Sequence, residues 1–264
     1  MSFYQNRIVI KIGTSTLIND IGKSDLHNID RLVRTIADIH NRDTEVILVS
    51  SGAIAFGTNR LNLKSRPEDL RTKQAVSAVG QCRLTHLYDK LFEEYDKTIG
   101  QILLSEADFH QDETRDHLIK TFDTLLHMGV IPIVNENDSV NSSEIESADH
   151  LFGDNDQLSA YVARLCRACK LIIVSDIDSI YDKDPQNHPD AKPVTRIKHI
   201  DESMMNYVAT RRSRRVAEGI TTKLTAARYA AQFGIDTIIM NGKQPEQLYD
   251  IIRGKPVGTF ISGQ

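Results

Sequence analysis

Residues 7–15 read Arg-Ile-Val-Ile-Lys-Ile-Gly-Thr-Ser: six residues, four of them β-branched, followed by a glycine and two hydroxyl side chains. A short, bulky run that ends at a turn signal reads as a buried strand. Lys11 is the anomaly in it. An ammonium inside an apolar run, close to a glycine turn, is seldom buried without a partner. It is therefore the first candidate for chemistry.

Working outward, the same grammar repeats. Glu45–Ser50, Ile99–Leu104, Val130–Val134, Leu171–Val174, Thr237–Met240 and Gly258–Ile261 read as strands. Amphipathic stretches lie between them. One starts at a Ser24 cap and puts Leu26, Ile29, Val33 and Ile36 on one face. The others are Thr72–Tyr95, Thr114–His127, Asp156–Cys169, Thr222–Phe233 and Pro245–Ile252. This alternation predicts an α/β protein: a three-layer α/β/α sandwich around a mainly parallel central sheet. Such sheets take ligands at the carboxyl ends of their strands, so the residues just after each strand carry the information.

Those positions hold Gly13-Thr14-Ser15, Ser51-Gly52-Ala53, Asn135-Glu136-Asn137-Asp138 and Asp176, with Gly153-Asp154-Asn155-Asp156 ahead of a helix. One such loop is only a turn; five in register predict a site. Motifs that are missing narrow the chemistry. There is no Walker-type G-x-x-x-x-G-K-[ST], no G-x-G-x-x-G, no H-E-x-x-H, no G-x-S-x-G and no protein-kinase signature. A phosphate would instead meet Lys11 with Gly13, and Gly219 with Lys223 at a helix start.

The bulk numbers agree with a soluble enzyme. The 264 residues carry a net charge of −4, which offers no field for nucleic acid or a membrane surface. Cys82, Cys166 and Cys169 are too few for a disulfide framework, and the C-x-x-C they contain reads as helix cysteines without metal or redox partners. No signal peptide and no run of ~18 apolar residues is present, so a cytoplasmic location is expected. The basic run Arg211–Arg215 reads as a solvated loop, with screening of a bound nucleotide as a hypothesis.

The segments IVIKIGTS, VSSGAIAFG, AVGQ, PIVNENDSV, FGDNDQLSA, SDIDSIYDKDP, TKLTAA and VGTF occur in that order. Together they resemble the glutamate 5-kinases of the amino acid kinase family, over essentially the whole chain, with NEND and GDND the most specific pair. The resemblance implies ATP-dependent phosphorylation of the γ-carboxylate of L-glutamate, the first step of proline biosynthesis, with ATP and Mg2+ as cofactors. It implies Lys11, Lys223 and Asp156 as catalytic residues. Ser51, Asn135, Asp138 and Asn155 would bind glutamate; Lys11, Gly13, Ser175, Asp176, Gly219 and Lys223 would bind the nucleotide; no metal-ligand set is implied. It further implies one kinase domain over 1–264, with a substrate part to about residue 165 and a nucleotide part beyond. Feedback by proline near Ser139–Phe152, a homodimer or homotetramer, and no room for the C-terminal PUA domain that many members carry are also expected.

Two departures stand out. The glycine-rich stretch usual before the T-K pair reads Val216-Ala217-Glu218-Gly219-Ile220 here, and Ser179 replaces a usual glycine. A kinase with another carboxylate acceptor and a non-catalytic glutamate or proline sensor therefore stay open as alternatives.

Overall fold

The structure is a computed structural model that describes residues 4–19, 21–140, 155–185, 187–202, 204–205 and 214–263. In chain order the elements are β1 (Tyr4–Ile12), α1 (Thr14–Leu17), α2 (Leu26–His40), β2 (Glu45–Ser50), α3 (Ala53–Arg60), α4 (Leu70–Glu93), β3 (Ile99–Leu104), α5 (Ala107–His110), α6 (Asp112–His127) and β4 (Ile131–Glu136). Then come α7 (Asn155–Leu165), β5 (Ala168–Ser175), β6 (Ile180–Tyr181), β7 (Pro193–Val194), β8 (Arg196–Ile197), α8 (Arg214–Ala231), β9 (Asp236–Asn241), α9 (Gln247–Ile252) and β10 (Thr259–Ile261).

Eight strands form one sheet in the order β3-β4-β2-β1-β5-β9-β10-β8. The first six run parallel; β10 turns back against β9 and carries β8 parallel to itself. β1 sits between β2 and β5, so the chain builds outward from it in both directions. The point where the build direction changes opens a crevice at the strands' carboxyl ends.

Alternation along β1 sorts its side chains between two cores. Ile8, Ile10 and Ile12 pack with Ile29 and Leu32 of α2, Tyr88 and Phe92 of α4, and Leu248 of α9. Val9 points the other way, into Phe122 of α6, Leu158 of α7 and Leu224 of α8. Each fully buried Ile, Val or Leu contributes about 1.5–3 kcal/mol. Lys11 shares the parity of Val9 and so faces α7 and α8. Four residues before it, Arg7 is also buried; it bonds Glu45 Oε2 at 2.7 Å, Asp123 Oδ1 at 2.8 Å and the Cys166 carbonyl at 2.7 Å.

Helices α3 and α4 cross at unusually close range through two glycines. A Cβ on Gly57 would lie 1.9 Å from the Val76 carbonyl oxygen, and one on Gly80 would lie 1.7 Å from that of Ala53. Only a hydrogen fits at either place.

Several expectations need correction. The α2 cap is Asp25, whose carboxylate accepts from the Asn28 N–H, while Ser24 pairs in a bridge with Ile18. Leu26 is exposed rather than on the buried face. Cys166 follows α7 and Cys169 lies on β5, so the pair is not helical. The described part of α8 begins at Arg214, which puts Gly219 inside a helix rather than at its start. Residues 141–152 of the stretch expected to serve proline lie outside the described residues, as do Gly153, Asp154, Arg211 and Arg212. No described helix is long and apolar enough to cross a membrane.

Candidate active site

The charged centre is assembled from three elements. β1 supplies Lys11, the first turn of α7 supplies Asp156, and α8 supplies Lys223. Lys11 Nζ lies 2.7 Å from Asp156 Oδ1, and Lys223 Nζ lies 3.2 Å from Oδ2, one lysine to each carboxylate oxygen. The Asp156 side chain is fully buried and those of the lysines nearly so. Burial alone would push the carboxyl up; the two ammonium groups outweigh it and hold Asp156 below the usual aspartate range. Thr222 Oγ1 lies 3.0 Å from Asp156 Oδ2, and the Gly219 carbonyl accepts from Lys223 Nζ at 3.2 Å. One carboxylate between two ammonium groups leaves a net positive charge in a dry setting, which favours an incoming anion.

Gly13 serves this centre by being small. Its own N–H donates to the Val174 carbonyl at 3.1 Å, so it belongs to the β1–β5 join. A Cβ there would sit 3.3 Å from that carbonyl and 3.8 Å from Lys11 Nζ. The Ser175 hydroxyl donates to Asp176 Oδ1 at 2.9 Å at the end of β5, and the Ser175 carbonyl accepts from the Gly242 N–H at 2.7 Å.

Beside the charged centre opens a polar cleft of about 640 Å³, lined among others by Ser51, Ala53, Arg66, Asn135, Asp138 and Asn155. Asn155 donates to Ser51 Oγ at 2.9 Å and to Asn135 Oδ1 at 3.1 Å. Asn135 donates to Gln81 Oε1 at 2.8 Å. Ser77 donates to Asp138 Oδ2 at 2.6 Å. Burial raises the Asp138 carboxyl above its ordinary range, against the opposing pull of the Ser77 bond and the charge of Arg66. Gly52, with φ +106°, turns the chain from β2 into α3 and offers no side-chain cap. The leading N–H groups of α3 therefore have no intrahelical acceptor, and Ala53 and Ile54 line the cleft. The cleft thus offers N–H and hydroxyl donors, the cations Lys64 and Arg66 and the carboxylates Glu136 and Asp138, groups of both signs suited to a zwitterion.

The residues anticipated from the sequence fall into three groups. Lys11, Asp156, Lys223 and Gly219 come together directly. Ser51, Asn135 and Asn155 form one bonded chain, and Asp138 lines the same cleft. Ser175 and Asp176 sit at the end of β5, bonded to each other. Four polar neighbours were not anticipated. Ser77, Gln81 and Thr85 recur at helical spacing along α4, a polar row legible in the sequence; Thr222 stands beside Lys223. Among the described residues no group of three or more His, Cys, Asp or Glu gathers to hold a metal ion.

Residues 6–241 match the sequence profile described as the amino acid kinase family. A glutamate 5-kinase of Clostridium perfringens is 46% identical over 255 residues, covering 97% of this chain and 94% of that protein. One of Enterococcus faecalis is 43% identical over 260 residues, covering 97% and 95%. Among solved structures, the isopentenyl phosphate kinase of T. acidophilum superposes with a TM-score of 0.66 at 19% identity over 97% of this chain and 99% of that one. Carbamate kinase from Giardia lamblia gives 0.65 at 15% identity over 98% of both. At these identities the two structures speak for the fold alone.

Proposed function

This chain belongs to the amino acid kinase family, and from that premise we infer that it transfers the γ-phosphoryl group of ATP to the side-chain carboxylate of L-glutamate, opening proline biosynthesis. The observation that carries the reading is the Lys11–Asp156–Lys223 centre beside a cleft equipped for a zwitterion.

The glutamate γ-carboxylate, with a pKa near ~4.3 in water, is already an anion at neutral pH and needs no general base. One of its oxygens attacks the γ-phosphorus as the bond to the β–γ bridging oxygen breaks, and that oxygen leaves on ADP with the electron pair. The barrier is mutual repulsion of anions, so the protein's task is alignment and positive charge. In this reading Lys11 faces the transferring phosphoryl group, Lys223 the phosphates, and Asp156 holds both ammonium groups in place. Gly13, Gly219, Ser175 and Asp176 border the nucleotide. The Mg2+ arrives on ATP and supplies charge neutralisation at the phosphates.

On the substrate side, Ser51 and the start of α3 meet carboxylate oxygens, Asn135 and Asn155 bind in the same cleft as the bonded row behind Ser51, and Asp138 meets the ammonium. The division of labour then falls near residue 165, substrate before it and nucleotide after. Proline as feedback inhibitor and a homo-oligomer rest on the family resemblance; a proline titration of the rate and sedimentation of the purified protein test them.

The decisive assay is Mg-ATP with L-glutamate and hydroxylamine, which traps an acyl phosphate as hydroxamate. Aspartate, N-acetylglutamate and a Lys11→Ala variant run in parallel. The expected result is a signal with glutamate alone that falls about 100- to 1000-fold in the variant. Absence of signal with glutamate overturns the reading.

A further inference from the structure

The amide chain behind Ser51 has a fixed direction. The Glu136 backbone N–H can only donate, so the Asn135 atom facing it at 2.9 Å is Oδ1. Both lone pairs of that oxygen are then used, one by Glu136 and one by an Asn155 Nδ2 hydrogen at 3.1 Å. The second Nδ2 hydrogen goes to Ser51 Oγ at 2.9 Å. Ser51 Oγ is therefore an acceptor towards Asn155, and its own hydrogen is left for another group. Among the described residues that hydrogen has no acceptor, and the side chain borders the cleft.

Behind Asn135 the direction is held again. Its Nδ2 donates to Gln81 Oε1 at 2.8 Å; Gln81 Nε2 donates to Thr85 Oγ1 at 3.1 Å; and Thr85 donates to Gln101 Oε1. Apart from the Asn155 hydrogen on Ser51, every donor in the row points away from the cleft, from Asn155 on α7 through β4 and α4 to β3. Reversing any one amide would place two donors or two acceptors face to face, at a cost of about 1–3 kcal/mol for a buried group left unpaired.

We propose that Gln81 is a positioning residue that, through Asn135 and Asn155, holds the Ser51 hydroxyl as an obligate donor to a carboxylate oxygen of the substrate. An amide row of opposite direction would turn the Ser51 hydrogen onto Asn155 Oδ1 and present only lone pairs to an anion. The proposal rests on the glutamate-kinase reading, and it extends that reading to a side chain that touches neither substrate.

The test compares Gln81→Met and Gln81→Glu. Methionine keeps the volume and the apolar fit but removes the acceptor for Asn135. Glutamate keeps the acceptor and adds a charge at a nearly buried position. Gln81→Met is expected to raise KM for glutamate about tenfold, an unpaired-donor effect, with KM for ATP unchanged. Gln81→Glu stays closer to the parent in KM although its thermal midpoint is the lower of the two. A packing role would give the reverse order in KM. In a Ser51→Ala background, Gln81→Met adds nothing further to KM, because the hydroxyl whose direction it sets is gone.

If Gln81→Met does not fold, Gln81→Leu takes its place, alone and in the Ser51→Ala background, and the same loss of its KM effect in that background is expected. Additive changes, or a KM order that follows stability, overturn the proposal and leave the kinase reading standing. A parent protein inactive on glutamate overturns both.

Discussion

At the scale of single residues, two aspartates of the site, Asp156 buried and Asp138 half-buried, are displaced in opposite directions by opposite surroundings. Asp156 lies between two ammonium groups and is held low, so its contribution to stability is present above the unfolded aspartate value of 3.8 and is lost as pH falls through its lower folded value. Asp138 is raised by burial, so it takes up a proton at a pH above 3.8, while Asp156 is still ionised. If Asp138 pairs with the substrate ammonium, KM for glutamate rises as pH is lowered through the range around the raised Asp138 value, before the charged centre fails. Steady-state rates across that range, with Asp138→Asn alongside, check this. The variant has a raised KM at every pH and keeps only the part of the acid-side rise that protonation of the substrate's own γ-carboxylate causes. A parent whose acid-side rise is no larger than the variant's contradicts the assignment.

Lys11 was legible at this scale because an ammonium in an apolar strand breaks pattern. Ser51 was ambiguous, since serine before a helix commonly caps it. The structure gives the cap position to Gly52 and leaves Ser51 to Asn155. Gln81 was not read as a site residue, because its partner Asn135 lies 54 positions away.

At the scale of elements, the strands were read closely because buried parallel strands are short and nearly all apolar; Glu45–Ser50 and Ile99–Leu104 match residue for residue. Helix α3 was missed. It has eight residues with Gly57 inside, too short and too permissive to show a helical period. Its place is fixed by the glycine contacts with α4, and that crossing aligns the cleft end of β2 with Ser77 and Gln81. Gly80→Ala therefore forces the helices apart. Overpacking of this kind costs about 1–3 kcal/mol, which a urea titration reads directly. KM for glutamate rises as Ser51 and the start of α3 move off the polar row. A variant that loses stability but keeps its KM would show that the crossing does not align the cleft.

At the scale of the whole molecule, the two ends of β1 do different work. Lys11 stands at the carboxyl end. Arg7, four residues and about 13 Å earlier, ties β1 to β2, α6 and the turn after α7. Arg7→Met removes the tie and strands two part-exposed carboxylates, Glu45 and Asp123. A loss of about 2–4 kcal/mol is expected, reaching only the lower part of the range for fully buried pairs, with kcat of the folded protein unchanged. An equal loss of kcat would mean that strain at the far end reaches the charged centre. The sequence announced the layered sandwich through alternation alone. The strand order was not announced, and neither was the reversal of β10, because both depend on which edges meet after collapse.

The order of strands in the sheet differs from their order of synthesis. Residues up to Glu136 contain β1 to β4, which make one half of the sheet with β1 at its margin. Until β5 leaves the ribosome, the strand carrying Lys11 is one of the two open edges of that half, β3 being the other, and it is strongly apolar on both faces. An unpaired edge of this kind recruits other strands. The Lys11 edge is thus open over the interval between Glu136 and Ser175; the strand that covers it also walls the catalytic crevice, and it passes the open edge outward until β9 is made.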